Sequence, residues 1–337
     1  MLLSPHQARL LYEQAAVERF AILAVNADSP AAVLDCLESA KRVGAPIIIE
    51  TSLWQLTGHS FGSGDPILGM ARYLTELSVL ANATRYQETP VIFHTDHIKG
   101  PQTESLLTAA IQGIPVYFAD QPQQVFASSI SLDSSELSNE ENITLMTRLC
   151  RTAESANQKA TLEMEAGVDK GVTPTSETRE IFGAVEAQFP GHLALWAPGV
   201  GTQHGLAEGN FVDPEAIQSH QALATELCGR PIGLALHGSS GLSDTALIEA
   251  VKAGTVKVNW SSESLLIRSH AARNYYASHA GKLEKHHPDF KATAMDNGLQ
   301  SFISNDYIPR VIERIQLLGG SGKATSFMSR IQRDKKQ

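Results

Sequence analysis

The chain has only three cysteines in 337 residues, Cys36, Cys150 and Cys228, far apart and each inside a helical pattern. Disulfides and cysteine metal sites both need paired spacing, so these read as buried, inert thiols of a reducing compartment. No apolar run approaches the ~20 residues that span a bilayer, and the first five residues lack the charged-then-apolar pattern of a signal peptide. These absences predict a cytoplasmic protein that does not engage a membrane. Basic residues are also scarce: 27 Lys and Arg stand against 36 Asp and Glu, a net charge of −9. The single basic cluster, residues 333–336, reads as a solvated end, which argues against a nucleic-acid partner. No Gly-, Ser- or Pro-rich linker divides the sequence and no solenoid-length repeat is visible, which leaves one domain over residues 1–337.

What is present is a rhythm. Eight short β-branched runs recur, at residues 20–25, 46–50, 90–93, 129–132, 160–164, 193–197, 232–236 and 256–260, and helical stretches alternate with them. Several of the runs are continuously apolar, the mark of parallel strands buried on both faces. Ser29-Pro30, Asp65-Pro66, Asp213-Pro214 and Ser243-Asp244 each open a helical pattern as an N-cap, and Gly254 closes the last of these. The alternation predicts an α/β fold, a (β/α)₈ TIM barrel. Residues 114–126, with two prolines and three glutamines, read as an insertion between the third and fourth strands, and a helical extension follows from about residue 262.

In such a barrel the C-terminal strand ends form the catalytic face. Asn26, Asp96 with His97, Asp133, Glu165, His204, His237 and Asn259 all fall at or just after the eight runs. Any one histidine here is more often a satisfied structural residue. Three at the same end of three strands, in His94-Thr-Asp-His97, Gly201-Thr-Gln-His204-Gly205 and Leu236-His237-Gly238-Ser239-Ser240-Gly241, fit a catalytic zinc site with one open position. In an extended segment His94 and Asp96 point to one side and His97 to the other. Period two puts Glu163 and Glu165 on one face, turned into the barrel, where a buried acid needs a partner or a metal. The Gly-Ser-Ser-Gly run after His237 and the hydroxyls of Ser261 and Ser262 offer an anion-binding rim after strands seven and eight.

Taken in order, Ala24-Val-Asn26, His94-Thr-Asp-His97, Leu162-Glu-Met-Glu165-Ala-Gly167, Gly201-Thr-Gln-His204-Gly205 and Leu236-His-Gly-Ser-Ser240 resemble the class II, zinc-dependent fructose-bisphosphate and tagatose-bisphosphate aldolase family. Val256-Lys-Val-Asn259 with Ser262-Glu263, and the tail ending Leu318-Gly-Gly-Ser-Gly-Lys323, extend the resemblance over nearly the whole chain. It implies a C–C lyase working on a ketose phosphate or related sugar through a metal-stabilised enediolate. It implies Zn²⁺ held by His97, His204 and His237, with Asp133 and Glu165 lining an alternative metal position. Asp96 would serve the aldehyde-derived hydroxyl. Asn26, Gly205, Gly238, Ser240, Asn259, Ser261 and Ser262 would hold the substrate, with a monovalent cation beside its phosphate. A homodimer or homotetramer is the expected assembly.

Three departures stand against that pattern. Glu208 occupies the place where the family commonly has a phosphate-contacting lysine, which predicts weaker selection for a phosphorylated donor unless Arg268 or another cation compensates. Val172-Thr173 sit where the loop after the fifth strand should carry the proton-abstracting acid, and the insertion at 114–126 is unusual. Two alternatives stay open: a catalytically altered aldolase-like barrel acting as a subunit or binding protein, and a metal-dependent sugar isomerase or epimerase.

Overall fold

The computed structural model describes residues 1–99, 103–118, 121–134 and 136–334. Eight parallel strands, Ile22–Asn26, Ile47–Thr51, Val91–Thr95, Ser129–Leu132, Leu162–Ala166, Leu193–Pro198, Gly233–Leu236 and Thr255–Trp260, each pair with the next in sequence, and the eighth returns to the first. This is the closed barrel expected from the sequence. The second strand shows why its run is apolar without alternation. Ile47 and Ile49 face the surrounding helices, while Ile48 faces the barrel interior. Helices start where the caps lie: Ser29, Asp65, Asp213 and Ser243 each accept backbone N–H bonds from the first turn, and a proline occupies that turn in the first three.

The barrel interior is layered by polarity. At the N-terminal end of the strands, Ile22, Ile48, Ile92 and Val256 pack against Leu11, Tyr12 and Ala15 of the opening helix, Pro5–Glu18. Phe327 and Ile331 of the last helix, Lys323–Asp334, join the same cluster, so both ends of the described chain stopper one end of the barrel. Charged and polar side chains therefore concentrate at the other end. Residues 114–126 form an antiparallel hairpin, Ile114–Phe118 against Gln121–Val125, outside the barrel; residues 119 and 120 of that stretch lie outside the described residues. The C-terminal helices include Ser262–His279 and Asp296–Leu317. Lys335 and Lys336 of the basic tail also fall outside the described residues.

Arg268 is not at the rim as a compensating cation. It is buried between helices, bonded to Asp35 at 2.5 Å and Gln300 at 3.1 Å, because its position on the helix Ser262–His279 faces the helices Pro30–Arg42 and Asp296–Leu317 rather than the mouth. All three cysteines are free, Cys36 and Cys150 buried and Cys228 half-buried. No helix among the described residues is long and apolar enough to cross a membrane.

A close backbone approach positions one wall of the mouth. A Cβ on Gly69, in the helix Pro66–Asn82, would lie 1.9 Å from the carbonyl oxygen of Leu56 in the short helix Leu53–Thr57. Gly69→Ala is expected to push these helices apart and destabilise the protein by about 1–3 kcal/mol through overpacking. Urea unfolding reads this directly; an unchanged midpoint would mean that the short helix yields freely.

Candidate active site

The polar layer is built around a buried lysine. Lys257, on the eighth strand, points into the barrel, where its ammonium lies 3.3 Å from Glu50 and 3.1 Å from Glu163 and donates to Asn259 Oδ1 at 2.6 Å. All three charged groups are fully buried. Burial works against the lysine's charge, but Glu163 and Glu50 outweigh it and push its pKa up. One ammonium cannot neutralise two carboxylates. Burial, reinforced by nearby Asp96, accordingly pushes Glu50 up to about 8.

Above this layer sits Asp96. Asn259 Nδ2 donates to Asp96 Oδ1 at 2.8 Å, and Asn26 Nδ2 donates to Oδ2 at 2.9 Å and to Glu50 at 3.0 Å. Burial opposes its ionisation, but His97 and Lys257 more than offset this and hold Asp96 down at about 2. Both carboxylate oxygens are thus oriented by amides, and both amides are anchored on the Lys257–Glu50 pair. Strand alternation sends His94 inward, onto Ser129 at 2.9 Å and toward Glu163 at 3.5 Å. His97 does not turn to the opposite side: its left-handed backbone, φ 47°, brings it to the mouth alongside Asp96.

Three imidazoles then meet. His97 Nε2 lies 2.7 Å from His204 Nε2 and 3.3 Å from His237 Nδ1, and the three ring nitrogens fall within 4.8 Å of one another. The far nitrogen of each ring is on a carboxylate: His97 Nδ1 with Asp133 at 3.3 Å, His204 Nδ1 with Asp169 at 2.6 Å, His237 Nε2 with Glu163 at 2.8 Å. Carboxylates accept only, so each fixes an N–H on its own side and leaves the convergent nitrogens as the lone-pair side. Burial works against a charge on His97, but Asp96 and then Asp133 raise its pKa to about 10, while burial and the charge of His97 keep His237 well below its usual value. Glu165 also faces this cluster, forms a second possible metal-holding group with His97 and Asp133, and accepts from Ser131. A borderline-soft dication suits such nitrogen and oxygen donors.

The cluster opens into a cavity of about 480 Å³. Asn26, Asp96, His97, His204, Gly205, Gly238, Ser240, Asn259, Ser261 and Ser262 all line it, and Ser52, Leu53, Trp54, Thr57, Lys99 and Ser239 complete the wall. Asp133, Glu165 and His237 are reached through the histidine cluster at its floor.

A family model described as "Fructose-bisphosphate aldolase class-II" matches residues 6–323. The chain belongs to the class II fructose-bisphosphate aldolase family. A fructose-bisphosphate aldolase of Neurospora crassa is 30% identical over 284 residues, 74% of each chain, and fructose-bisphosphate aldolase 1 of Paracoccidioides lutzii is 28% identical over 277 residues, 75% of each. Among solved structures, fructose-bisphosphate aldolase from Campylobacter jejuni superposes with a TM-score of 0.80 at 22% identity, covering 96% of this chain and 97% of that one. The YdjI aldolase from Escherichia coli K12 does so with a TM-score of 0.69 at 19% identity, covering 96% and 100%. At those identities the superpositions speak for the fold alone.

Two departures from the family pattern take on a definite geometry. Glu208 is exposed and does not line the cavity, so the repulsion expected from its position in the sequence is not built into the rim. Thr173 is buried, its hydroxyl accepting from Gly199 N–H at 2.8 Å and donating to the Ala166 carbonyl, and it offers no acid. Sequence reasoning assigned no role to Lys257, Glu50, Asp169, Lys99 or Trp54. Lys257 carried a signal in plain view: a lysine inside a β-branched run must find buried carboxylates.

Removing that lysine strands the two acids. Lys257→Met should cost about 3–5 kcal/mol, the usual price of leaving a buried charge unpaired. The double change Lys257→Met with Glu163→Gln should recover part of the loss. Equal unfolding midpoints for wild type and single variant in urea would show that the network contributes no stability.

Proposed function

We propose that the protein is a zinc-dependent aldolase that cleaves or forms the C–C bond of a ketose phosphate or related sugar. The observation that carries this reading is the meeting of three carboxylate-backed imidazoles beside an amide-clamped Asp96 at the barrel mouth. His97, His204 and His237 would hold the ion, and Asp133 and Glu165 would line an alternative position. When bound, the ion supplies Lewis acidity to the donor carbonyl, so the breaking bond can leave its electron pair there.

The chain's own groups do the rest. Asp96 lies 3.9 Å from His97 and is held ionised, so it can take the proton of the hydroxyl on the aldehyde side as the bond breaks, and return it in condensation. Asn26 and Asn259 keep its two oxygens facing that hydroxyl. Gly238, Ser239 and Ser240, together with Ser261 and Ser262 at the N-terminus of the helix Ser262–His279, present an anion cradle for the donor phosphate. The exposed position of Glu208, outside the cavity wall, leaves the cradle compatible with a phosphorylated donor. Leu53, Trp54 and Thr57 form the remaining wall, against which the aldehyde portion would lie.

Cleavage of ketose phosphates by the zinc-loaded protein tests the reading, with fragment analysis separating aldolase from isomerase. His97→Ala, His204→Ala and His237→Ala should each strip zinc and activity together; a variant with full zinc occupancy removes that residue from the ligand set. Asp96→Asn should keep its zinc while turnover falls about 10²–10⁴-fold, the usual effect of losing one acid/base group. Undiminished cleavage by this variant would end the case for Asp96.

A further inference from the structure

Of the three carboxylates behind the histidines, Asp133 and Glu163 are nearly or fully buried, with side chains 6% and 0% exposed. Asp169 is different. Its side chain is 47% exposed, and the imidazole it holds, His204, is itself 36% exposed. His97 and His237 are 27% and 2% exposed, so His204 is the ring with the least packing around it and leans most on its bonds. Asp169 provides it twice: Oδ1 accepts the backbone N–H of His204 at 2.8 Å and Oδ2 lies 2.6 Å from His204 Nδ1.

The segment carrying Asp169 is pinned. Asp169 adopts a left-handed φ of 65°, a conformation uncommon for a residue with a side chain. The turn is closed by Lys170 N–H on the Gly167 carbonyl at 3.0 Å. Beyond it, Thr173 N–H bonds Gly199 at 2.8 Å, Gly201 N–H bonds Gly171 at 3.1 Å, and Val172 bridges Val200. A Cβ on Gly199 would fall 2.3 Å from the Gly167 carbonyl oxygen, so the two loops touch backbone to backbone. On its far side the His204 loop is tied by Asn210, which accepts from Gln203 N–H at 3.0 Å and donates to the Gly238 carbonyl at 2.7 Å. The loop after the fifth strand is thus a fixed buttress against the loop after the sixth.

We propose that Asp169 is a positioning residue that clamps His204 with Nδ1–H toward itself and Nε2 toward His97 and His237, and so sets the affinity of the histidine cluster for a divalent metal. The inference rests on the metal reading given above but adds a residue outside the ligand set. It also assigns the loop after the fifth strand a supporting task in place of proton abstraction. Outer carboxylates of this kind are typically worth about 10–100-fold in metal affinity.

The test uses Asp169→Gly, which removes the carboxylate and suits the left-handed backbone, and Asp169→Asn, which keeps an acceptor without the charge. Chelator competition with zinc should show the glycine variant binding about 10–100-fold more weakly, with the asparagine variant between it and wild type. The cobalt-substituted glycine variant should show an altered visible absorption spectrum, and the thermal midpoint of the metal-free protein should be unchanged. Equal zinc affinity and identical cobalt spectra for wild type and the glycine variant overturn the proposal. Nitrogen-15 spectra of the metal-free protein separate its failure from that of the metal reading. A wild-type His204 protonated at Nδ1, with that tautomer lost in the glycine variant, supports the clamp, and a wild-type His204 protonated only at Nε2 refutes it. Wild-type protein that takes up no zinc or cobalt refutes both the metal reading and the affinity this proposal assigns to Asp169.

Discussion

The ammonium of Lys257 is the fixed point of the site. It lies between Glu50 and Glu163 in the polar layer of the barrel, and the hold on Asp96 and on the far side of His237 traces back to it. Through Asn259 it orients one oxygen of Asp96, and through Glu50 and Asn26 the other. Through Glu163 it reaches the far side of His237. A buried network of this sort is costly to assemble and tolerates few arrangements, because each member left unsatisfied is penalised in the low dielectric of the interior. That intolerance is what gives the mouth of the barrel a single geometry.

The barrel's layering follows from the same constraint. Charge can gather at one end only because the other is closed by hydrocarbon, from the opening helix and from Phe327 and Ile331 of the last one. Tyr12 marks the boundary: its ring lies in the apolar cluster, while its hydroxyl lies 3.4 Å from Ser129 Oγ, the neighbour of His94.

The strands were legible because a strand buried on both faces is written as an unbroken β-branched run, and the helix starts because Ser or Asp before Pro is a local signal. Site residues at strand ends were legible for the same reason, since the fold converts sequence position into spatial position. What escaped depended on partners distant in sequence. Asp169 meets His204 only because its backbone turns left-handed, and nothing in Gly167-Val-Asp-Lys announces that turn. The direction of His97 hinged likewise on a single positive φ, against the alternation of the strand before it. Arg268, read as a possible rim cation, lies on a helix face that the pattern alone could not orient, and it is consumed by Asp35. The hairpin within 114–126 shows as an insertion in the sequence, but its second strand, Gln121–Val125, is glutamine-rich and exposed and carries no burial pattern from which pairing could be read.

The chain contains three tryptophans, and their surroundings differ sharply. Trp196 and Trp260 are sealed in the core, at 0% and 1% exposure, while Trp54 is 59% exposed in the wall of the cavity. A collisional quencher in solvent therefore meets one indole and not the other two. The protein carries its own optical probe at the entrance, so that occupancy of the mouth is readable from the quenchable fraction of its emission without any label.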